Sequence, residues 1–304
     1  MPTEQKPSKQ TSRERTSLAI DPVSLAPGLH VVATPIGHLG DITLRALATL
    51  AAADLVLCED TRVTRKLLDR YHLAPPLLAY HDHNAAEVRP KVLRRLAEGA
   101  AVALVSDAGT PLISDPGYKL VAAALAAGHR VFPVPGASAL LAALMAAGLP
   151  TDRFYFEGFL PPKAGQRRTR ISEIATIPAT IVLYETGPRL AESLADLASG
   201  FGERSASVCR ELTKAFEEIR RGTLVELVAH YARSGAPKGE IVLVIAPPVA
   251  RERAVSSEEL DALLQRALAR GSLKDAVAVV TDETGLKRRD VYARALALAE
   301  GGKR

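Results

Sequence analysis

From Leu29 onward, short apolar runs alternate with segments of helical periodicity, and this alternation constrains the fold more than any other feature of the chain. Residues 29–33, 54–58, 101–106 and 130–134 are mainly apolar or β-branched, and each run ends at Gly, Pro or an acid. Between and after them, residues 43–53, 64–71, 85–98, 117–127 and 137–147 repeat apolar positions at helical spacing. The runs show no in/out alternation, as expected of strands buried on both faces, so the pattern predicts an α/β fold with a parallel sheet covered by helices.

A second block follows Pro150. Strands are predicted over 154–158, 179–185, 205–211, 217–222 and 240–246, and helices over 166–174, 189–199 and 224–233. The segment Gly148-Leu149-Pro150-Thr151-Asp152 reads as the linker. After Pro247-Pro248 the pattern becomes wholly helical. Over 272–299 it reads as a helix-turn-helix, with Ser272 as N-cap, Gly285 at the turn, and Lys287, Arg288 and Arg289 opening the second helix. That segment either touches nucleic acid or packs on the body. The expected organisation is a polar, disordered tail (1–27), an α/β domain (28–149), a second α/β domain (150–248) and a helical end (249–304). A length of 304 residues suits two domains of ordinary size.

Composition narrows the function classes. Only two cysteines occur, Cys58 and Cys209, both within apolar runs. Their placement excludes a disulfide framework or a CxxC metal site and fits a reducing cytosol. Segment 131–151 is free of charge, but its prolines and glycines leave a helix far shorter than the ~20 residues a membrane span needs. The leader lacks the apolar core of a signal peptide, so a cytoplasmic location is expected. A net charge of +5 permits an anionic partner. The chain has six Phe, seven Tyr and no Trp, too few aromatics for a platform stacking single-stranded nucleic acid.

Ligands of open α/β sheets bind at the carboxyl ends of the strands. Four such ends carry Gly, Pro, acids and hydroxyls. They are Thr34 to Asp41, Glu59-Asp60-Thr61-Arg62, Asp107 to Gly117, and Pro135-Gly136-Ala137-Ser138-Ala139. None matches GxGxxG or GxxxxGK[ST], which weakens dinucleotide and nucleoside-triphosphate readings. Backbone amides beside Gly109 and Gly136 can take an anion, and the acids can take an amine or a ribose diol. S-adenosylmethionine has those groups, but spacing alone does not select it.

The loops themselves carry a resemblance. Thr34-Pro35-Ile36-Gly37 with Asp41-Ile42-Thr43, Glu59 to Arg62, Ser106 to Gly117, Glu157-Gly158-Phe159-Leu160-Pro161, Arg210-Glu211-Leu212-Thr213-Lys214 and Lys238-Gly239-Glu240 occur in order. Together they resemble the ribosomal RNA small-subunit methyltransferase I family, a branch of the tetrapyrrole methylases. The resemblance implies a two-domain tetrapyrrole-methylase-like fold, with a parallel sheet in the first domain and a mixed sheet in the second. It also implies a homodimer that binds S-adenosylmethionine between its domains. The family's product is a 2′-O-methylated cytidine of 16S ribosomal RNA, at the decoding centre of the small (30S) subunit.

Carried over position by position, Ser106, Asp107, Ala108, Gly109, Thr110 and Pro111 hold the cofactor, together with Pro135, Gly136, Ser138 and Ala139. Gly158, Tyr184, Leu212 and Gly239 complete the pocket from the second domain. Thr34, Pro35, Gly37, Arg62, His81 and His83 face the substrate. Two departures stand out: His38 replaces an Asn common in the family, and Gly187-Pro188-Arg189 replaces a Pro-His-Arg run, so no role is carried over to that position.

A ribose hydroxyl is a very weak acid, so a carboxylate or imidazole within reach is expected to take its proton. Glu59, Asp60, His81, Asp82, His83 and Glu185 are the candidates, with Glu59, Asp60 and Glu185 foremost, and sequence assigns none of them. Glu59 and Asp60 also suit a helix N-terminus. His81 and His83 lack the Cys partners of a strong metal motif, and no metal is expected. Lys163, Arg167, Arg168 and Arg170 form a basic start to one helix, read as a contact for RNA phosphates against the alternative of a solvated face. Two rivals remain: a methylase of corrin or porphyrin precursors, and a ribosome-binding factor without catalysis. Intact cofactor loops disfavour the second.

Overall fold

The computed structural model describes residues 23–248 and 256–301, so most of the predicted tail lies outside the described residues. Strands β1 (Gly28–Val32), β2 (Leu55–Cys58), β3 (Leu77–Ala79), β4 (Ala101–Val105) and β5 (Val131–Val134) form a parallel sheet in the order β3-β2-β4-β1-β5. β2 and β4 are buried along their whole length, as runs without alternation require.

Helices α1 (Leu44–Ala52), α2 (Thr61–Arg70), α3 (Ala85–Ala97) and α4 (Tyr118–Ala126) connect these strands. Thr43 starts α1 by accepting the Ala46 N–H, and Asp60 starts α2 by accepting the Arg62 N–H. Two apolar clusters cover the sheet. One is built around Leu29, Leu57 and Leu104, the other around Val32, Val56 and Val105. β3 was absent from the predicted strands because three residues are too few to show a period.

The second sheet contains β6 (Phe154–Phe159), β7 (Thr180–Thr186), β8 (Ser205–Arg210), β9 (Glu218–Thr223) and β10 (Glu240–Ile245), in the order β6-β7-β10-β8-β9. β6 and β7 run parallel and the other pairs antiparallel, which is the mixed sheet implied by the resemblance. Helices α6 (Ala164–Ile174), α7 (Gly187–Phe201) and α8 (Leu224–Ser234) cover one face through Ile171, Leu194 and Leu227. A capping box between Thr223 and Glu226 opens α8.

The other face is covered by α5 (Ala139–Ala147), which follows β5 in sequence but packs Ala143, Leu144 and Ala147 against Val182, Cys209, Val242 and Val244. The Ser207 hydroxyl and the Arg221 guanidinium donate to the Ala147 carbonyl and lock its end. Packing therefore assigns α5 to the second sheet, although the sequence linker comes after it.

Helices α9 (Ser257–Leu268), α10 (Leu273–Thr284) and α11 (Arg288–Gly301) share a small core of their own around Leu264, Val280 and Val291. Ser272 caps α10, and Gly285 ends it in the left-handed conformation, as the turn pattern requires. Among the described residues, no helix is long and apolar enough to cross a membrane.

Candidate functional site

The loops at the carboxyl edge of the first sheet are tied to one another by hydrogen bonds. Thr34 and Gly109 exchange backbone bonds of 2.9 and 3.1 Å, and the Thr34 hydroxyl donates to the Ser106 carbonyl at 3.1 Å. The Ser106 hydroxyl donates to the Gly109 carbonyl, and Thr110 donates to the Ala137 carbonyl, each at 3.1 Å. The Asp107 carboxylate accepts the Asp60 N–H at 3.0 Å, which brings in the loop after β2. Leu112 and Ser114 hold positive φ, as do Glu211 and Thr213 after β8. Such residues cost roughly 1–3 kcal/mol each and persist where the surroundings fix them, often at binding sites.

A cavity of about 300 Å³ lies between this edge and the second sheet. The first sheet's loops contribute Ile36, Asp107 to Thr110, Ile113, Ser114, Asp115, Ser138 and Ala139. Phe159, Tyr184 to Thr186, Cys209, Leu212 and Gly239 to Val242 come from the second. Tyr184 is held edge-on between Phe156 and Phe159, with ring centroids 4.9 and 5.6 Å away.

The halves are clasped beside the cavity. His38 N–H donates to the Thr213 hydroxyl at 3.0 Å across the halves, and within the second half Lys214 Nζ bridges Glu211 and Glu240 at 2.8 and 2.9 Å. Gly37 sits beneath this clasp. A Cβ there would lie 2.4 Å from Lys214 Cγ and 2.8 Å from Thr213 Oγ1, so any larger residue forces these side chains to shift.

Most of the expected cofactor residues meet here. Asp107, Ala108, Gly109, Thr110, Ser138, Ala139, Tyr184, Leu212 and Gly239 line the cavity; Ser106, Pro111, Pro135, Gly136 and Gly158 do not. Ser106 is buried and braces the loop from behind. Sequence reasoning missed Asp115, Cys209 and Phe159 as lining residues. Asp115 and Phe159 lay inside recognised motifs, whereas Cys209 carried no signal beyond its apolar strand.

The expected substrate residues divide. Arg62 in the first turn of α2 and His83 in the loop after β3 are exposed, and His81 is half-buried. Thr34 and Pro35 are buried, whereas Gly37 is exposed beside the clasp. The basic start of α6 also needs correction. Arg167 is 3% exposed and donates to Asp196 at 2.7 Å and Glu192 at 3.3 Å on α7. Arg170 is bound by Glu157 and Glu173. Arg168 lies 3.8 Å from Asp196 with an exposed side chain, and Lys163 is exposed.

The three foremost base candidates fare differently. Asp60 caps α2 and forms a two-pronged pair with Arg62, which holds its carboxyl down at about 2, too acidic to accept a proton efficiently near neutrality. Glu185 borders the cavity, but its oxygens accept the Thr186 N–H and the Ser193 hydroxyl, and it is 3% exposed. It serves to anchor the β7–α7 junction. Glu59 is raised by partial burial and by the negative charges of Asp107 and Asp82, but it stands outside the cavity lining.

Gly187 explains the departure beside it. A Cβ at this position would lie 1.7 Å from the Pro237 carbonyl oxygen, so the chain crossing here leaves no room for a larger residue.

A rim of carboxylates and an apolar wall suit a cationic ligand with a flat ring. The volume is at the lower end of the ~300–1,000 Å³ usual for small-molecule pockets. Residues 28–228 match the family model of Tetrapyrrole (Corrin/Porphyrin) Methylases, and residues 254–299 match the RsmI C-terminal HTH domain. The fold is shared with the cobalt precorrin-4 methyltransferase CbiF at a TM-score of 0.54 and 21% identity, over 71% of this chain and 93% of that one. It is shared with uroporphyrin-III C-methyltransferase from Thermus thermophilus complexed with S-adenyl homocysteine, at a TM-score of 0.50 and 22% identity, over 71% and 96%.

Closer likeness comes from sequence. The chain is 52% identical to the ribosomal RNA small subunit methyltransferase I of Mesorhizobium japonicum, over 91% of this chain and 94% of that protein. It is 48% identical to the protein of that name from Pseudomonas aeruginosa, over 88% and 96%. The chain belongs to the ribosomal RNA small subunit methyltransferase I family of tetrapyrrole methylases.

Proposed function

We propose that this protein transfers a methyl group from S-adenosylmethionine to the 2′-oxygen of a cytidine in 16S ribosomal RNA, at the decoding centre of the small (30S) subunit. The observation that carries the reading is the cavity between the two sheets, built from the same loops that the family motifs occupy. Its Asp107 and Glu240 carboxylates suit the donor's ammonium and sulfonium charges, and its apolar wall suits the adenine. Asp107, Thr110, Ser138, Tyr184, Leu212 and Gly239 hold the donor. When bound, S-adenosylmethionine supplies an electrophilic methyl group on a sulfonium.

Little net charge develops in such a displacement, so positioning and exclusion of water carry most of the acceleration. The clasp at Gly37, Thr213 and Lys214 serves that purpose by holding the two halves of the cavity together. The enzyme acts in the cytoplasm as a homodimer. Exposed Arg62, His83, Lys163 and Arg168 remain as contacts for the RNA.

The test is methyl transfer from labelled S-adenosylmethionine to small ribosomal subunits purified from cells lacking this gene, with the labelled nucleoside identified by mass spectrometry. Label in 2′-O-methylcytidine is expected. Label elsewhere, or none with the donor still bound, sends the search to another acceptor.

A further inference from the structure

Four carboxylates border the cavity, and three are already committed. Glu185 is held by Thr186 and Ser193, Glu240 by Lys214, and Asp107 by the Asp60 N–H. The fourth is Asp115, in the loop after β4. We propose that Asp115 is the proton acceptor for the ribose hydroxyl. This rests on the functional reading above and names the residue that the reading leaves open.

Position argues first. Asp115 lies between Ser114, whose φ is 64°, and Pro116, so the loop sets its direction rather than leaving it free to swing. The Ser114 hydroxyl also lies against Gly158 of the second sheet, with an added Cβ only 3.3 Å away, so this stretch of loop is held between the two halves.

Charge argues next. Glu59 from the end of β2 and Asp107 from the end of β4 face Asp115 with like charge, and the Tyr184 ring of β7 lies on its cavity side. The Ser106 hydroxyl pulls the other way and favours the ionised form. Partial burial and the two acids therefore raise its carboxyl to about 6, whereas Asp60 is held at about 2. A group in that range is ionised at neutral pH and still basic enough to accept a proton. The neighbouring acids also disfavour a phosphate at this point, so the part of an RNA that can approach is a sugar or base edge.

The step balances. As the ribose oxygen forms its bond to the methyl carbon, the carbon–sulfur bond breaks with its electron pair on sulfur. The hydroxyl proton passes to the Asp115 carboxylate and leaves from there to water.

The experiment uses the full-length enzyme with Asp115→Asn and Asp115→Glu. Single-turnover transfer to small subunits lacking the modification is measured from pH 5 to 9. Calorimetry gives the affinities for S-adenosylmethionine and S-adenosylhomocysteine. The wild-type rate is expected to rise with pH through an apparent value near 6. Asp115→Asn should fall by about 10²–10⁴-fold, the usual contribution of a general base. It should lose that acid limb while keeping both affinities within about threefold, and Asp115→Glu should recover part of the rate.

An Asn variant that transfers at nearly the wild-type rate overturns the assignment. So does a loss of donor affinity matching the loss of rate, which makes Asp115 a ligand of the donor's ammonium group. Wild-type enzyme that binds the donor but labels no subunit overturns the functional reading itself, and the base with it. Wild-type labelling with an undiminished Asn variant overturns Asp115 alone.

Discussion

Replacing Arg167 separates an RNA-binding side chain from a structural one. Its guanidinium is 3% exposed and joins α6 to α7 through Asp196 at 2.7 Å, Glu192 at 3.3 Å and the Pro162 carbonyl at 3.4 Å. Removing one partner of a fully buried pair costs about 3–5 kcal/mol, because the other charge stays buried without compensation. Here Glu192 is 74% exposed and Asp196 18%, so water rehydrates the first fully and the second in part. Arg167→Ala is therefore expected to cost about 2–3 kcal/mol, part of it from lost packing of the side-chain stem. That corresponds to a fall in melting temperature of roughly 4–12 °C, at about 2–4 °C per kcal/mol for a chain of this order of size.

Thermal melting by circular dichroism reads the first effect, and salt titration of RNA binding reads the second. A phosphate contact contributes about 0.7–0.9 to the slope of log affinity against log salt. The slope should not change. A variant that melts within about 1 °C of wild type while its slope falls by about one would refute the reasoning and return Arg167 to the RNA surface. A double-mutant cycle with Asp196→Ala should show a coupling within the usual range of about 0.5–3 kcal/mol for residues in contact.

Gly37→Val should push Lys214 and Thr213 apart and loosen the clasp. Calorimetry is expected to show S-adenosylmethionine binding weakened by tenfold or more, and unchanged affinity would mean the clasp does not shape the cavity. Gly187→Ala places a methyl 1.7 Å from the Pro237 oxygen, which forces the backbone to move. A loss of about 1–3 kcal/mol on chemical denaturation is expected, as for other overpacked sites, and a neutral result would count against that crossing.

Asp115 links stability to pH. Its carboxyl is raised from 3.8 to about 6, so folding disfavours the charged form; the stability it allows is complete below pH 4 and lost as pH rises through 6. Asp115→Asn should therefore melt higher than wild type at pH 7.5, by about 1 kcal/mol once solvent screening of a half-buried group is allowed for, and the gain should vanish near pH 4. A gain that persists at pH 4 would point to packing instead of charge.

Much of the site was legible because its parts are local. Asp107 to Thr110, Ser138 and Ala139 follow directly on strands, and the rule that ligands meet strand carboxyl ends needs no knowledge of packing. What escaped depends on distant partners. Arg167 looked like a phosphate contact because Asp196 and Glu192 lie on the following helix, and nothing in the α6 sequence announces them. Asp60 looked like a base until its own neighbour Arg62 was seen folded back on it. Asp115 sat within a recognised loop, but its basicity comes first from burial and then from the like charge of Glu59, which only the sheet order β2-β4 brings alongside.

By itself the sequence determined most of the elements, the parallel character of the first sheet and the identity of the loops, since propensity, period and capping act over a few residues. Tertiary structure decided which charges were free to do chemistry. It also decided that α5 belongs to the second sheet, where Val182, Val242 and Val244 bury the apolar face left by the first. Burial and charge pairing depend on distances in space, and the proton affinity of a carboxyl is set by the few neighbours that folding places around it.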